Sequence, residues 1–121
     1  MRPMPVVLIR DTHPRPDAKV RQMLRSVHQG VVGALEAKPG SVWVRYEPGR
    51  PEHYWEGETG KPEGEQMFVS VHLAEGRAPK KVQTLFAAIS SAIGRSFGID
   101  PAYVWIRIEE IPLERVGQGA H

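Results

Sequence analysis

The chain of 121 residues contains no cysteine. That absence excludes disulfides, thiolate catalysis and cysteine-ligated zinc. Long apolar runs are missing too, and none approaches the roughly 18 residues of a membrane-spanning helix. The start lacks the apolar segment of a secretory signal, so a cytoplasmic protein is expected. Charge of one sign is scarce: the formal net charge is only +2, and Arg10, Arg15, Arg21 and Arg25 are spread out rather than run together. Nucleic-acid and membrane partners are therefore not expected. His13, His53, His72 and His121 show no metal-ligand spacing, so neither a metal nor another cofactor is expected. The charged share of 25% and hydrophobic share of 40% are ordinary for one globular domain.

What the chain does have is a repeat. "VWVRYEP" at 42–48 returns as "VWIRIEEIP" at 104–112, with Trp43 and Trp105 separated by 62 positions. The same offset pairs Val7 with Val69, Arg15 with Arg77, Lys19 with Lys81, Pro39 with Pro101, Arg45 with Arg107 and Glu47 with Glu109. One offset holding without a gap over about forty positions marks an internal duplication.

Each half carries one apolar stripe at helical spacing: Val20, Met23, Leu24, Val27 and Val31, then Val82, Leu85, Phe86, Ile89 and Ile93. Pro16 and Asp17 suit the first turn of one helix, and Pro79 that of the other. Short apolar runs, "PVVLIRD" and "MFVSVHL", precede the helices; "SVWVRYE" and "YVWIRIE" follow them with strand-like alternation. Each half thus reads β-α-β, with parallel strands and a right-handed crossover. The predicted fold is α/β (α+β), a four-stranded sheet with two helices on one face. Its divisions are a first repeat at 5–48, a Gly/Pro/Glu-rich linker or hairpin at 49–66, and a second repeat with a tail at 67–121. The order β-α-β-β-α-β also fits a ferredoxin-like fold, but the repeat favours a duplicated β-α-β unit whose sheets assemble into a ring.

The second half resembles 4-oxalocrotonate tautomerase, of the tautomerase superfamily. The resemblance rests on Glu75-Gly76-Arg77 after a strand, Ala92-Ile93 and Arg95-Ser96 late in the helix, and the glycine-rich 116–120. The first half matches the same pattern more faintly, from Pro5 onward. The two-repeat length, with His28-Gln29-Gly30 closing the first helix, is similar to fused members such as cis-3-chloroacrylic acid dehalogenase.

The resemblance implies a tautomerase-like fold, a homotrimer and a keto–enol proton transfer on a small unsaturated 2-oxo acid. It makes an amino-terminal proline the base, and in register that residue is Pro5. Its counterpart in the second half is Met67, so there is at most one such proline per chain. Arginine after Met1 blocks methionine removal and proline after Met4 permits it, so a start at Met4 would expose Pro5. The resemblance makes Arg77 the carboxylate anchor and His28 a further site residue. Strand alternation puts Arg107 on the same face as Trp105, where it could hold a second oxygen, a departure from the dehalogenase, which has a tyrosine there. Each has a plainer reading. Arg77 could be a surface arginine, Arg107 could pair with Glu109, and His28 could be structural. Arg15 reads as part of a decayed second site, and Trp43 and Trp105 as core or interface residues. Dehalogenase- or hydratase-like activity is the alternative, weakened because Gln118 and Ala74 stand where that enzyme has an acid and an arginine. A catalytically inactive anion-binding oligomer is another.

Overall fold

The computed structural model describes residues 4–117 and Gly119. Two strand–helix–strand units follow one another: β1 (Val6–Asp11), α1 (Asp17–Leu35) and β2 (Trp43–Glu47), then β3 (Met67–Ala74), α2 (Pro79–Phe97) and β4 (Val104–Ile111). The sheet order is β2-β1-β3-β4. β1 runs parallel to β2 and β3 parallel to β4, while the central pair β1–β3 is antiparallel. Each β-α-β unit therefore keeps its two strands adjacent. A ferredoxin-like fold would place a strand between them.

Strand alternation divides the sheet into two faces. Val7 and Ile9 of β1 and Val69, Val71 and Leu73 of β3 point to the helices and are buried. They meet Met23, Val27 and Val31 of α1 and Leu85, Ile89 and Ile93 of α2. Phe86 departs from the predicted stripe. It is exposed, because the buried arc of α2 runs instead through Ala92 and Phe97. The helices cross at small residues: a methyl group on Gly30 would lie 3.3 Å from the Ala88 carbonyl. Both helices end on a left-handed residue, Glu36 (φ 51°) and Gly98 (φ 68°). These two are partners at the 62-residue offset, so backbone shape survived where the side chain did not.

The segment 49–66 contains no strand; a 3-10 turn at Pro51–His53 is its regular element. Pro51 and Pro62 remove backbone donors that a hairpin ladder would need. The segment instead folds on its own side chains: Tyr54 packs on Phe68 with ring centroids 5.9 Å apart, and Trp55 donates to the Gly57 carbonyl at 2.7 Å. After β4 comes a 3-10 turn, Leu113–Arg115, with no strand among the described residues beyond it. Gln118, Ala120 and His121 lie outside the described residues, as does Met1. No described helix is long and apolar enough to cross a membrane.

Candidate active site

The antiparallel β1–β3 pair gives the sheet two ends of like construction. In register, Val6 lies across from His72 and Asp11 across from Met67. The start of β1, with Pro5, thus shares one end with the close of β3 and the loop carrying Arg77. At the other end, the start of β3 with Met67 meets the loop that leaves β1 and carries Arg15. Trp43 closes the first end by donating its backbone N–H to the Pro5 carbonyl at 3.1 Å. Pro5 is buried, and so is Met4, which joins the core cluster alongside Ala74, Ile111 and Val116.

The two arginines are in opposite situations. The side chain of Arg15 is only 9% exposed and that of Asp11 is fully buried. Arg15 grips Asp11 with two N–H groups, Nε to Oδ2 at 2.9 Å and Nη2 to Oδ1 at 3.4 Å. Its third contact is Nη1 to Glu65 at 3.3 Å, and its guanidinium carbon sits 4.8 Å from the centre of the Phe97 ring. Asp11 also accepts from the Tyr46 hydroxyl at 2.6 Å and from the backbone N–H groups of Thr12 (2.7 Å) and His13 (3.1 Å). Burial by itself lowers the Arg15 pKa, yet the hydrogen bonds and charges of Asp11 and Glu65 raise it overall. The Tyr46 hydroxyl is held above its usual value, first by burial and then by its bond to Asp11. Gly49 permits this packing: a methyl group there would lie 1.9 Å from the Asp11 carbonyl oxygen.

Arg77 has none of this. Its Nε is buried without a hydrogen-bond partner among the described residues. The 62-residue offset explains why. The counterparts of Asp11, Tyr46 and Phe97 are Leu73, Ile108 and Leu35. The Arg77 end therefore offers aliphatic side chains where the Arg15 end offers a carboxylate, a hydroxyl and a ring. An unpartnered buried N–H costs about 1–3 kcal/mol, so an anion arriving here would gain what the fold forgoes.

The remaining expected residues lie apart within one chain. Arg107 is on the face of the sheet away from the helices, 77% exposed and paired to Glu109 at 2.8 Å. That face is a duplicated grid in which Arg10 and Arg45 flank Glu47, while His72 and Arg107 flank Glu109. Trp43 (50% exposed) and Trp105 (61% exposed) stand on the same face and are not core residues. His28 lies on α1 beyond the β2 edge, its Nε2 2.9 Å from the Pro39 carbonyl oxygen. It shares a cleft of about 230 Å³ with Arg21, Leu24, Arg25 and Val44. The structure thus brings Pro5 and Arg77 to one sheet end and leaves Arg107 and His28 elsewhere. Sequence reasoning missed Asp11, Tyr46 and Phe97. The signal was available in the repeat, at the positions where the halves disagree in polarity. Among the described residues no three histidine, aspartate or glutamate side chains converge as metal ligands.

No protein-family profile matches the chain, and no curated protein sequence does either. Solved structures do match. Pt0534, solved after inactivation by 2-oxo-3-pentynoate, is 26% identical with a TM-score of 0.86; the match covers 94% of this chain and 92% of that one. Native fused 4-OT is 19% identical with a TM-score of 0.85, over 97% of this chain and 94% of that one. Malonate semialdehyde decarboxylase is 20% identical with a TM-score of 0.73, over 89% and 85%.

Proposed function

We propose that this chain, a member of the tautomerase superfamily by its fold, moves a proton between carbon and oxygen positions of a small unsaturated 2-oxo acid. The observation that carries this is the buried, unpartnered Nε of Arg77 at the sheet end where Pro5 begins the first strand. A planar guanidinium holds a carboxylate by two parallel hydrogen bonds. Anchored there, a 2-oxo acid extends its reacting carbons toward residue 5.

The base in this reading is the Pro5 amine, which requires Pro5 to be the first residue. As an internal residue its nitrogen is an amide with no basic lone pair. As a terminus it is a secondary amine, and an ordinary α-amino group has a pKa of roughly 7.7–8.0. Burial disfavours the charged amine and lowers that value, leaving a neutral base near pH 7. The amine takes the proton from carbon beside the carbonyl, and Arg77 steadies the dienolate through its carboxylate. The amine then returns the proton to the enolate oxygen, which gives the enol; the reverse run converts an enol such as phenylenolpyruvate to its ketone.

A ring of three copies belongs to this reading. Fused 4-OT is a trimer, and the face bearing Trp43, Phe68 and Trp105 is exposed in the single chain. Arg107 and His28 reach a Pro5 site only if a neighbouring copy presents them. A second reading is an anion-binding oligomer without catalysis; it applies to any form in which Met4, buried against the core, stays bonded to Pro5.

The test uses two forms of the protein, one with Pro5 as its first residue and one retaining residues 1–4. Each is assayed with phenylenolpyruvate and then incubated with 2-oxo-3-pentynoate. In the Pro5-first form the amine adds to the alkyne carbon conjugate to the ketone, and its proton moves to the neighbouring carbon. The expected results are turnover in that form alone and a mass gain of one whole inhibitor on Pro5. Equal turnover in both forms would remove Pro5 from the mechanism.

A further inference from the structure

The bonds of Asp11 have the pattern of a bound ligand. Its carboxylate receives two N–H groups from the Arg15 fork, the Tyr46 hydroxyl and two backbone N–H groups. All five donors converge on one fully buried carboxylate. At the opposite end the Nε of the equivalent arginine has no hydrogen-bond partner among the described residues, and the residue in the place of Asp11 is Leu73. The two ends share strand arrangement and arginine, and differ in whether the chain supplies that arginine with a carboxylate.

We propose that the Arg15 end is a carboxylate-binding site occupied by the chain's own Asp11. The molecule then has one open anion site per chain, and Asp11 keeps the second one shut. Naming the Arg77 end as the open site rests on the function proposed above; the occupancy of the Arg15 end by Asp11 does not. The ligand class the closed end would accept is a small monocarboxylate. The cavity left by the Asp11 side chain would hold formate or acetate, and the donors that remain would all serve a carboxylate.

Removing the internal carboxylate and supplying one from solution tests this. The Asp11→Ala protein is melted in sodium chloride and in sodium formate at equal ionic strength. The expected result is a melting temperature below that of the parent in chloride, with a saturable rise of about 5 °C in formate at ten times its dissociation constant. The parent should show no such rise, nor should the Asp11→Ala/Arg15→Met protein, which lacks the guanidinium. If Asp11→Ala does not fold in chloride, refolding in formate should restore its native circular dichroism. A folded variant indifferent to formate, or an unfolded one that formate fails to rescue, would overturn the proposal. So would equal rescue without Arg15. Arg77→Ala in the Asp11→Ala background separates the two readings: rescue should persist there, so loss of turnover at Arg77 and loss of rescue at Arg15 are independent results.

Discussion

The two ends of the sheet began as copies and now differ in how each holds its arginine. Both have an arginine on the loop after the strand, at the same offset, near the start of the neighbouring strand. At one end Asp11, Tyr46, Glu65 and Phe97 surround that arginine, and it acts as a structural ion pair. At the other, Leu73, Ile108 and Leu35 stand in the places of Asp11, Tyr46 and Phe97, and the arginine keeps an unused donor. An arginine's role is thus set by its neighbours and not by its position. A cation that the fold neutralises is architecture; one it leaves unsatisfied is available to a ligand.

The largest effect expected from breaking this contrast is on stability. Arg15→Ala leaves Asp11 as a buried, unpaired charge, which costs about 3–5 kcal/mol. Arg77→Ala removes a buried N–H that has no hydrogen-bond partner among the described residues, so it should hold stability or raise it by about 1 kcal/mol. Denaturant titrations of the two variants side by side would expose the difference, and equal losses would refute it.

Copying the closed end onto the open one comes next. Leu73→Asp puts a carboxylate in the Asp11 position beside Arg77. Turnover in the Pro5-first protein should then fall by about 100-fold, roughly 2.7 kcal/mol of transition-state stabilisation. Full activity in a folded variant would mean that Arg77 does not hold the substrate.

The alkaline limb of stability reads out the closed end separately. Tyr46 is protonated in the fold to a higher pH than in the unfolded chain. Above pH 10 the unfolded state therefore loses a proton that the folded state keeps, and stability drops as pH rises. One such group contributes a slope of about 1.4 kcal/mol per pH unit. Tyr54, pushed up to about 12 by burial and then by its bond to Glu56, adds to the same limb. Tyr46→Phe should make the decline shallower between pH 10 and 11; an unchanged slope would mean the hydroxyl is not held as described.

The smallest effect concerns the helix ends. Glu36 holds a left-handed backbone that its counterpart Gly98 adopts at no steric cost. Glu36 also pairs with Lys81 on the surface, a contact worth little. Glu36→Gly should stabilise by about 0.5 kcal/mol, and a thermal melt showing a clear loss would place more weight on the ion pair.

The fold was largely legible before any coordinates. Apolar residues at helical spacing between alternating strands specify β-α-β, and the repeat says it occurs twice. What periodicity could not supply was the partner of each polar group. Asp11 reads as the polar end of a strand, and its burial depends on Tyr46, 35 residues away, and on Arg15 stacked over the distant Phe97. Arg107 shows the converse. Its partner Glu109 is two residues on, so local pairing uses a cation that strand alternation had suggested for substrate. The Phe86 exposure reflects a buried arc of α2 that runs through Ala92 and Phe97, which is set by the elements packed on the helix and not by its own spacing.

The measurement that reaches the centre of this account is kcat/KM for phenylenolpyruvate in Pro5-first protein, with Arg77 or with Arg77→Ala. Losing a charged hydrogen-bonded anchor should lower kcat/KM by about 100-fold while the melting temperature does not fall. A rate within twofold of the parent, in a protein that melts normally, would contradict the claim that the unpaired arginine is the working one.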